Sequence, residues 1–147
     1  MFDINTLTKE LKEKYNFMVT TSENGRFIIV NKENILELVR LLKEEFKFQM
    51  LSSVTAVDYN DRYEVVYHIA EVDAKLLQIK VMLAKDNPVM PSIISAWKAA
   101  GVQEREIYDL MGIIFVGHGN LKRILCEDDF EGHPLRKDFL LTPVSRY

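Results

Sequence analysis

RYEVVYHIAEVDAKLLQIKVML, residues 62–83, holds the pattern that decides the fold. Tyr63, Val65, Tyr67 and Ile69 alternate with Glu64 and His68, and a period of two belongs to a strand with one buried face. Leu77, Ile79, Val81 and Leu83 repeat the pattern after a turn at Glu71-Val72-Asp73. Upstream, across Tyr59-Asn60-Asp61, MLSSVTAV (50–57) reads as a third strand. His68, on the polar side of its strand, is expected to face solvent or a second layer.

Working outward to the N-terminus, Ile4, Leu7, Leu11 and Tyr15 form one helical stripe, with Asp3 or Asn5 placed to cap it. FMVT (17–20) and RFIIV (26–30) flank Asn24-Gly25, a strong turn signal, and predict a hairpin. Asn31 can cap a second helix running to about Glu45, whose apolar residues Ile35, Leu38, Val39, Leu42 and Phe46 keep helical spacing. Towards the C-terminus, Pro91 stands at a first helical position and predicts a short helix near Ser92–Ala99. Residues 103–111 predict another, stopped by Gly112. Residues 117–147 contain three glycines and two prolines, keep no period and read as irregular chain.

These elements predict a two-layer α+β domain over residues 1–116, with a mainly antiparallel or mixed sheet packed by helices. An irregular extension, 117–147, belongs to the same domain. At 147 residues the chain can bury roughly 70% of its unfolded surface and needs no staples. A net charge of −3 offers no electrostatic case for nucleic acid. Cys126 is the only cysteine, so no internal disulfide can form, and a reducing compartment follows. Neither a signal segment nor a run of roughly 20 apolar residues is present, so a soluble protein is expected, at a membrane only through a partner.

The densest cluster of charge is Glu104-Arg105-Glu106. On a helical wheel Glu104 shares a face with Ile107, Tyr108 and Met111, while Arg105 and Asp109 lie together on another side and Glu106 points away from both. An acid on an apolar stripe must be paired or hydrogen-bonded, so Glu104 is expected to meet a cation or backbone N–H groups. Three uses are open: an internal ion pair, a pair with a partner, or a catalytic acid. No second acid, nucleophile or ligand is spaced to complete a catalytic site. His118, Cys126 and His133, with Asp128 and Asp129 nearby, match no zinc spacing, and no phosphate cradle or nucleophile elbow occurs. The apolar and basic residues of 117–139 must wrap their own domain or lie on another protein.

Two blocks, EREIYDLMGIIFVGHGNLKRIL (104–125) and GHPLRKDF (132–139), resemble the 30 kDa subunit family of respiratory complex I, the NADH:quinone oxidoreductase. They are similar too to the small subunit of energy-converting [NiFe] hydrogenases, the alternative parent complex. Glu104, Arg105, Glu106, Asp109, Gly112, Gly117, His118, Arg123, Gly132, His133, Pro134, Leu135, Arg136, Lys137 and Asp138 carry the likeness. Val102 and Gly119 depart from it, standing where a tryptophan and a proline are common.

The resemblance implies a scaffold subunit of the peripheral arm, on the cytoplasmic face of the membrane, without a cofactor, metal or catalytic residue of its own. Its main partner would be the large subunit related to the [NiFe] hydrogenase large chain. Iron–sulfur clusters and quinone, or a NiFe centre, would belong to partner subunits. Glu104, Arg105 and Asp109 would form an ion-pair framework, and Arg136 and Lys137 would reach acidic groups or carbonyls of the large subunit. A different class of reading is a free-standing enzyme with Glu104 or His118 as its acid/base.

Overall fold

The computed structural model describes residues 3–17, 19–72 and 76–140. Asp73 of the expected turn and residues 141–147 of the expected extension lie outside the described residues. Asp3 caps α1 (Ile4–Tyr15) by accepting from the N–H groups of Asn5 and Thr6, satisfying donors that a helix start leaves without partners. The stripe Leu7 and Leu11 is buried as its spacing requires. β1 (Val19–Thr21) and β2 (Phe27–Val30) form the expected antiparallel hairpin around Gly25. Asn31 begins a 3-10 turn, Lys32–Asn34, without a side-chain cap bond, and α2 (Ile35–Glu45) follows it directly. Ile35, Leu38, Val39 and Leu42 are wholly buried, each burial contributing roughly 1.5–3 kcal/mol.

Three long strands come next: β3 (Phe48–Tyr59), β4 (Arg62–Glu71) and β5 (Leu76–Leu83). They pair antiparallel, with Val54 opposite Tyr67 and Tyr67 opposite Ile79. β5 also pairs parallel with β2, Ile28 facing Ile79, which gives a mixed five-stranded sheet in the order β1-β2-β5-β4-β3. The inward row Tyr63, Val65, Tyr67, Ile69 is buried as its period of two requires. The other face of β4 is more enclosed than that pattern implies. Glu64, there, is buried between Arg62 at 3.1 Å and Lys80 at 3.6 Å. The fold is the α+β arrangement that the strand pattern predicts.

No helix occupies 92–99. Pro91 ends a short strand instead, β6 (Val89–Pro91), which pairs parallel with β7 (Ile114–Val116). Ile93, Ala96 and Trp97 have helical spacing, but they are buried through two successive turns, Ala96 to Ile93 and Ala100 to Trp97. The helix begins only at Ala100, and α3 (Ala100–Met111) runs to a left-handed Gly112. From 117 to 140 there is neither helix nor strand.

Candidate functional site

α3 is where the charged triplet, the glycines and the C-terminal chain meet. Glu104, on the apolar stripe, is wholly buried and ties the helix to the end of β6. It accepts from the Ser92 hydroxyl at 2.5 Å and from the Ile93 N–H at 2.9 Å. The partners of Glu104 are therefore a main-chain N–H and a hydroxyl, and no cation contacts it. Burial pushes the Glu104 carboxyl above the usual carboxylate range, and the two hydrogen bonds counter that only in part. His118 closes the other side of the helix start. Its Nε2–H donates to the Gly101 carbonyl at 2.7 Å, while Nδ1 accepts from the Asn120 N–H.

The raised Glu104 gives a pH test. An acid whose folded value lies above its unfolded one binds the extra proton in the folded state, so stability falls as pH rises from about 4.5 through the folded value. Glu104→Gln keeps the acceptor for Ile93 and removes the titration. Urea unfolding from pH 4 to 8 should show the variant gaining on the parent as pH rises; parallel curves would refute the assignment.

Asp109, five residues on, is wholly buried and gathers the chain that follows β7. Its Oδ2 accepts the N–H groups of Ile124, Leu125 and Cys126 at 3.0, 2.7 and 2.8 Å. Its Oδ1 meets the Arg123 guanidinium at 3.1 Å. Burial alone would raise its pKa, but the three N–H groups outweigh that and hold it at about 2. The expected ion-pair framework of Glu104, Arg105 and Asp109 does not form. Instead Arg105 bridges the carbonyls of Lys122 and Arg123, and the cation on Asp109 is Arg123. A loop brings Arg123 in close, whereas Arg105 at i−4 serves the same loop from its other side.

The end of α3 explains the second motif. A helix leaves its last four carbonyls without partners. Here the Gly112 N–H takes Tyr108, the His133 Nδ1–H takes Asp109, the Leu135 N–H takes Leu110, and the Arg136 Nε–H takes Met111. Gly-His-Pro-Leu-Arg is a helix cap supplied from about twenty residues away in the sequence. Arg136, expected to reach a partner, thus spends its Nε–H on Met111, and its guanidinium lies 5.7 Å over the Tyr63 ring. The Lys137 N–H donates to Asp58, which also pairs with Lys85. The side chains of Lys137, Asp138 and Glu106 are exposed.

Residues 28–145 match the respiratory-chain NADH dehydrogenase 30 kDa subunit family. The chain belongs to that family. The corresponding NADH-quinone oxidoreductase subunit of Moorella thermoacetica is 50% identical, over 78% of this chain and 79% of that one. Its counterpart in Geotalea uraniireducens is 40% identical, over 99% of this chain and 93% of that one. Among solved structures, a trypsin-resistant fragment of Nqo5 shares the fold at 23% identity with a TM-score of 0.66, over 80% of this chain and 99% of that one. A chain of a membrane-bound sulfane sulfur reductase, an archaeal respiratory membrane complex, superposes with a TM-score of 0.78 at 26% identity, over 93% of this chain and 85% of that one.

In this 30 kDa family chain both acid/base candidates are engaged inside the fold. Both oxygens of Glu104 are occupied, and both ring nitrogens of His118 are bonded. Among the described residues, no three His, Cys, Asp or Glu side chains converge on a point. Burial and the neighbouring Asp109 raise the Cys126 thiol, which disfavours a reactive thiolate. The half-buried thiol belongs to the Asp109 loop rather than to the core, the default role for a lone cysteine. Ser92, Gly101, Leu110 and Asp58 are given no site role by the sequence. Only Gly101 carries a signal, a glycine inside a helix, where an added Cβ would approach Ile94 to 3.1 Å.

The clamp turns Asp109, Arg123 and Arg136 inward and leaves several apolar side chains outside, among exposed charges such as Lys122, Asp128 and Lys137. Leu125 is 64% exposed and Leu140 82%, with Ile124 and Phe130 also exposed. Phe130 stacks on Phe139 at 5.9 Å, with Arg123 against its ring, so even this outer surface is held in place.

Proposed function

We propose that the chain is the scaffold subunit of a membrane-associated NADH–quinone oxidoreductase, docking in the peripheral arm through residues 117–140. The observation that carries this is the clamp on α3. A segment without helix or strand is fixed by Asp109 and by the helix cap, and it presents Ile124, Leu125, Phe130 and Leu140 outward. Ordering a docking segment beforehand lowers the entropic cost of binding. The partner of this reading is the large subunit related to the [NiFe] hydrogenase large chain, on the cytoplasmic face of the membrane. Clusters and quinone belong to neighbouring subunits. Among the described residues, no helix is long and apolar enough to cross a membrane, and attachment is through the complex.

The test is isolation of the tagged full chain from its own membranes in mild detergent. A large subunit and iron–sulfur subunits should co-purify with quinone-reducing activity; a chain that elutes alone would overturn the reading. Leu125→Glu combined with Leu140→Glu should strip those subunits while changing stability by no more than about 0.5 kcal/mol per site, because both residues are exposed. A second reading is favoured by the 0.78 TM-score to the sulfane sulfur reductase chain: the same scaffold in a membrane complex of other chemistry. A co-purifying large subunit with two C-x-x-C nickel motifs would replace quinone by hydrogenase chemistry, and sulfane sulfur reduction is assayed directly.

A further inference from the structure

The third member of the charged triplet has no use inside the chain. Glu104 is bonded to Ser92 and Ile93, and Arg105 to the carbonyls of Lys122 and Arg123. Glu106 is exposed and makes no ion pair or hydrogen bond among the described residues. No cation stands three or four positions away on α3, where Val102, Gln103, Asp109 and Leu110 are its neighbours.

Its surroundings are not those of a solvated acid. Glu106 lines a groove of about 220 Å³ between α3 and the sheet, with Val54 and Ala56 on one wall, Ile107 and Leu110 on the other, and Leu135 lining it as well. It is the single charged residue lining that groove. One turn before it Val102 is 54% exposed, and Leu135 is 59% exposed. On this helix face the exposed Val102 and Glu106 stand beside Gln103, whose Oε1 is taken by the Val54 N–H, so Glu106 is the one charge beside an apolar depression. An apolar depression with a charge beside it is how interfaces are built: the depression supplies affinity and the charge supplies register and partner choice.

We propose that the α3–β3 groove is a second seat for the partner subunit, taking an apolar side chain whose neighbouring arginine or lysine pairs with Glu106. This rests on the scaffold reading above and extends its docking surface from residues 117–140, which contribute Leu135, to α3 and β3. The sign of the free charge selects the occupant: an acidic segment would meet Glu106 as a like charge, and a wholly apolar one would bury it unpaired.

A photo-crosslinking residue at Gln103 of the full chain, activated in membranes where the complex has assembled, tests this. Mass spectrometry should find it joined to another subunit, at a peptide with an arginine or lysine close to a large apolar residue. Linkage to residues 141–147 of its own chain, to a second copy, or to a peptide without a cation would overturn the proposal. Glu106→Lys should then lower the retained partner at least ten-fold under a salt wash, with Glu106→Gln intermediate. Reversing the identified cation should restore the Glu106→Lys complex. Unchanged retention of a partner by Glu106→Lys would sink the groove alone, whereas a parent chain that retains no partner would sink the scaffold reading as well.

Discussion

Replacing Asp109 by alanine should destabilise the chain by roughly 3–5 kcal/mol, the range for removing one member of a buried pair. The carboxylate is wholly buried and offers four acceptor contacts: three to successive N–H groups and one to Arg123. Alanine leaves those N–H groups pointing at one another around a void, and an orphaned buried donor costs about 1–3 kcal/mol. It also leaves Arg123, only 14% exposed, without its anion. Asparagine keeps one acceptor but turns an amide N–H₂ towards donors, so Asp109→Asn should recover less than half of the loss. Acid provides an independent check. Asp109 titrates at about 2 in the fold against an ordinary 3.8, so its contribution of about 2 kcal/mol is complete above the unfolded value and disappears as pH falls through about 2. Urea unfolding between pH 7 and pH 2 should show the parent losing that increment and Asp109→Ala lacking it. The local consequence is sharper than the global one. Residues 121–126 have no secondary structure to hold them, so proteolysis there should accelerate in the variant before the sheet melts. A variant that matches the parent in urea and in proteolysis would show that the loop is held by its side chains instead.

The sheet was legible because the information is local. Tyr63, Val65, Tyr67 and Ile69 announce their own strand, and Gly25 marks its own turn. The parallel pairing of β2 with β5 was not legible, since Ile28 and Ile79 lie far apart in the chain and nothing in either run names the other. The missing helix at 92–99 has the same cause. Pro91 suits the first turn of a helix or the end of a strand equally, and the choice fell to β7, further along the chain beyond α3.

Within the site, the wheel places Glu104 inside correctly, because burial follows from periodicity. It cannot supply Ser92 and Ile93, since a hydroxyl and a main-chain N–H leave no charge to search for. Reading charges as partners of charges also joins Asp109 to Arg105 at i−4, where the loop delivers Arg123. The resemblance singles out the residues that matter but not what they do inside the chain. Arg136 reads as a docking group, and His133 and Leu135 only carry the likeness, yet all three form a helix cap.

Two glycines separate the cap from ordinary backbone preference. Gly112 and Gly117 both have positive φ, +74° and +87°, which an L side chain adopts at a cost of roughly 1–2 kcal/mol. They differ in what a Cβ would meet. At Gly117 there is nothing within 4 Å, whereas at Gly112 a Cβ would lie 2.5 Å from Arg136 Nη2 and 2.7 Å from His133 Cδ2. Those atoms belong to the two side chains that satisfy Met111 and Asp109, so they cannot retreat without uncapping α3. Gly117→Ala should therefore cost only the backbone term. Gly112→Ala should cost that term plus one or two lost hydrogen bonds, roughly 2–4 kcal/mol in total. Asparagine accepts a left-handed backbone more readily than alanine, so Gly117→Asn should approach the parent while Gly112→Asn should not. Urea midpoints of the four variants measure the difference, and hydrogen exchange at Leu135 locates it, since that N–H is the part of the cap that reports directly. Equal costs at the two positions would mean that the Gly-His-Pro-Leu-Arg cap adds nothing to stability. The ordering of the docking segment would then rest on Asp109 alone.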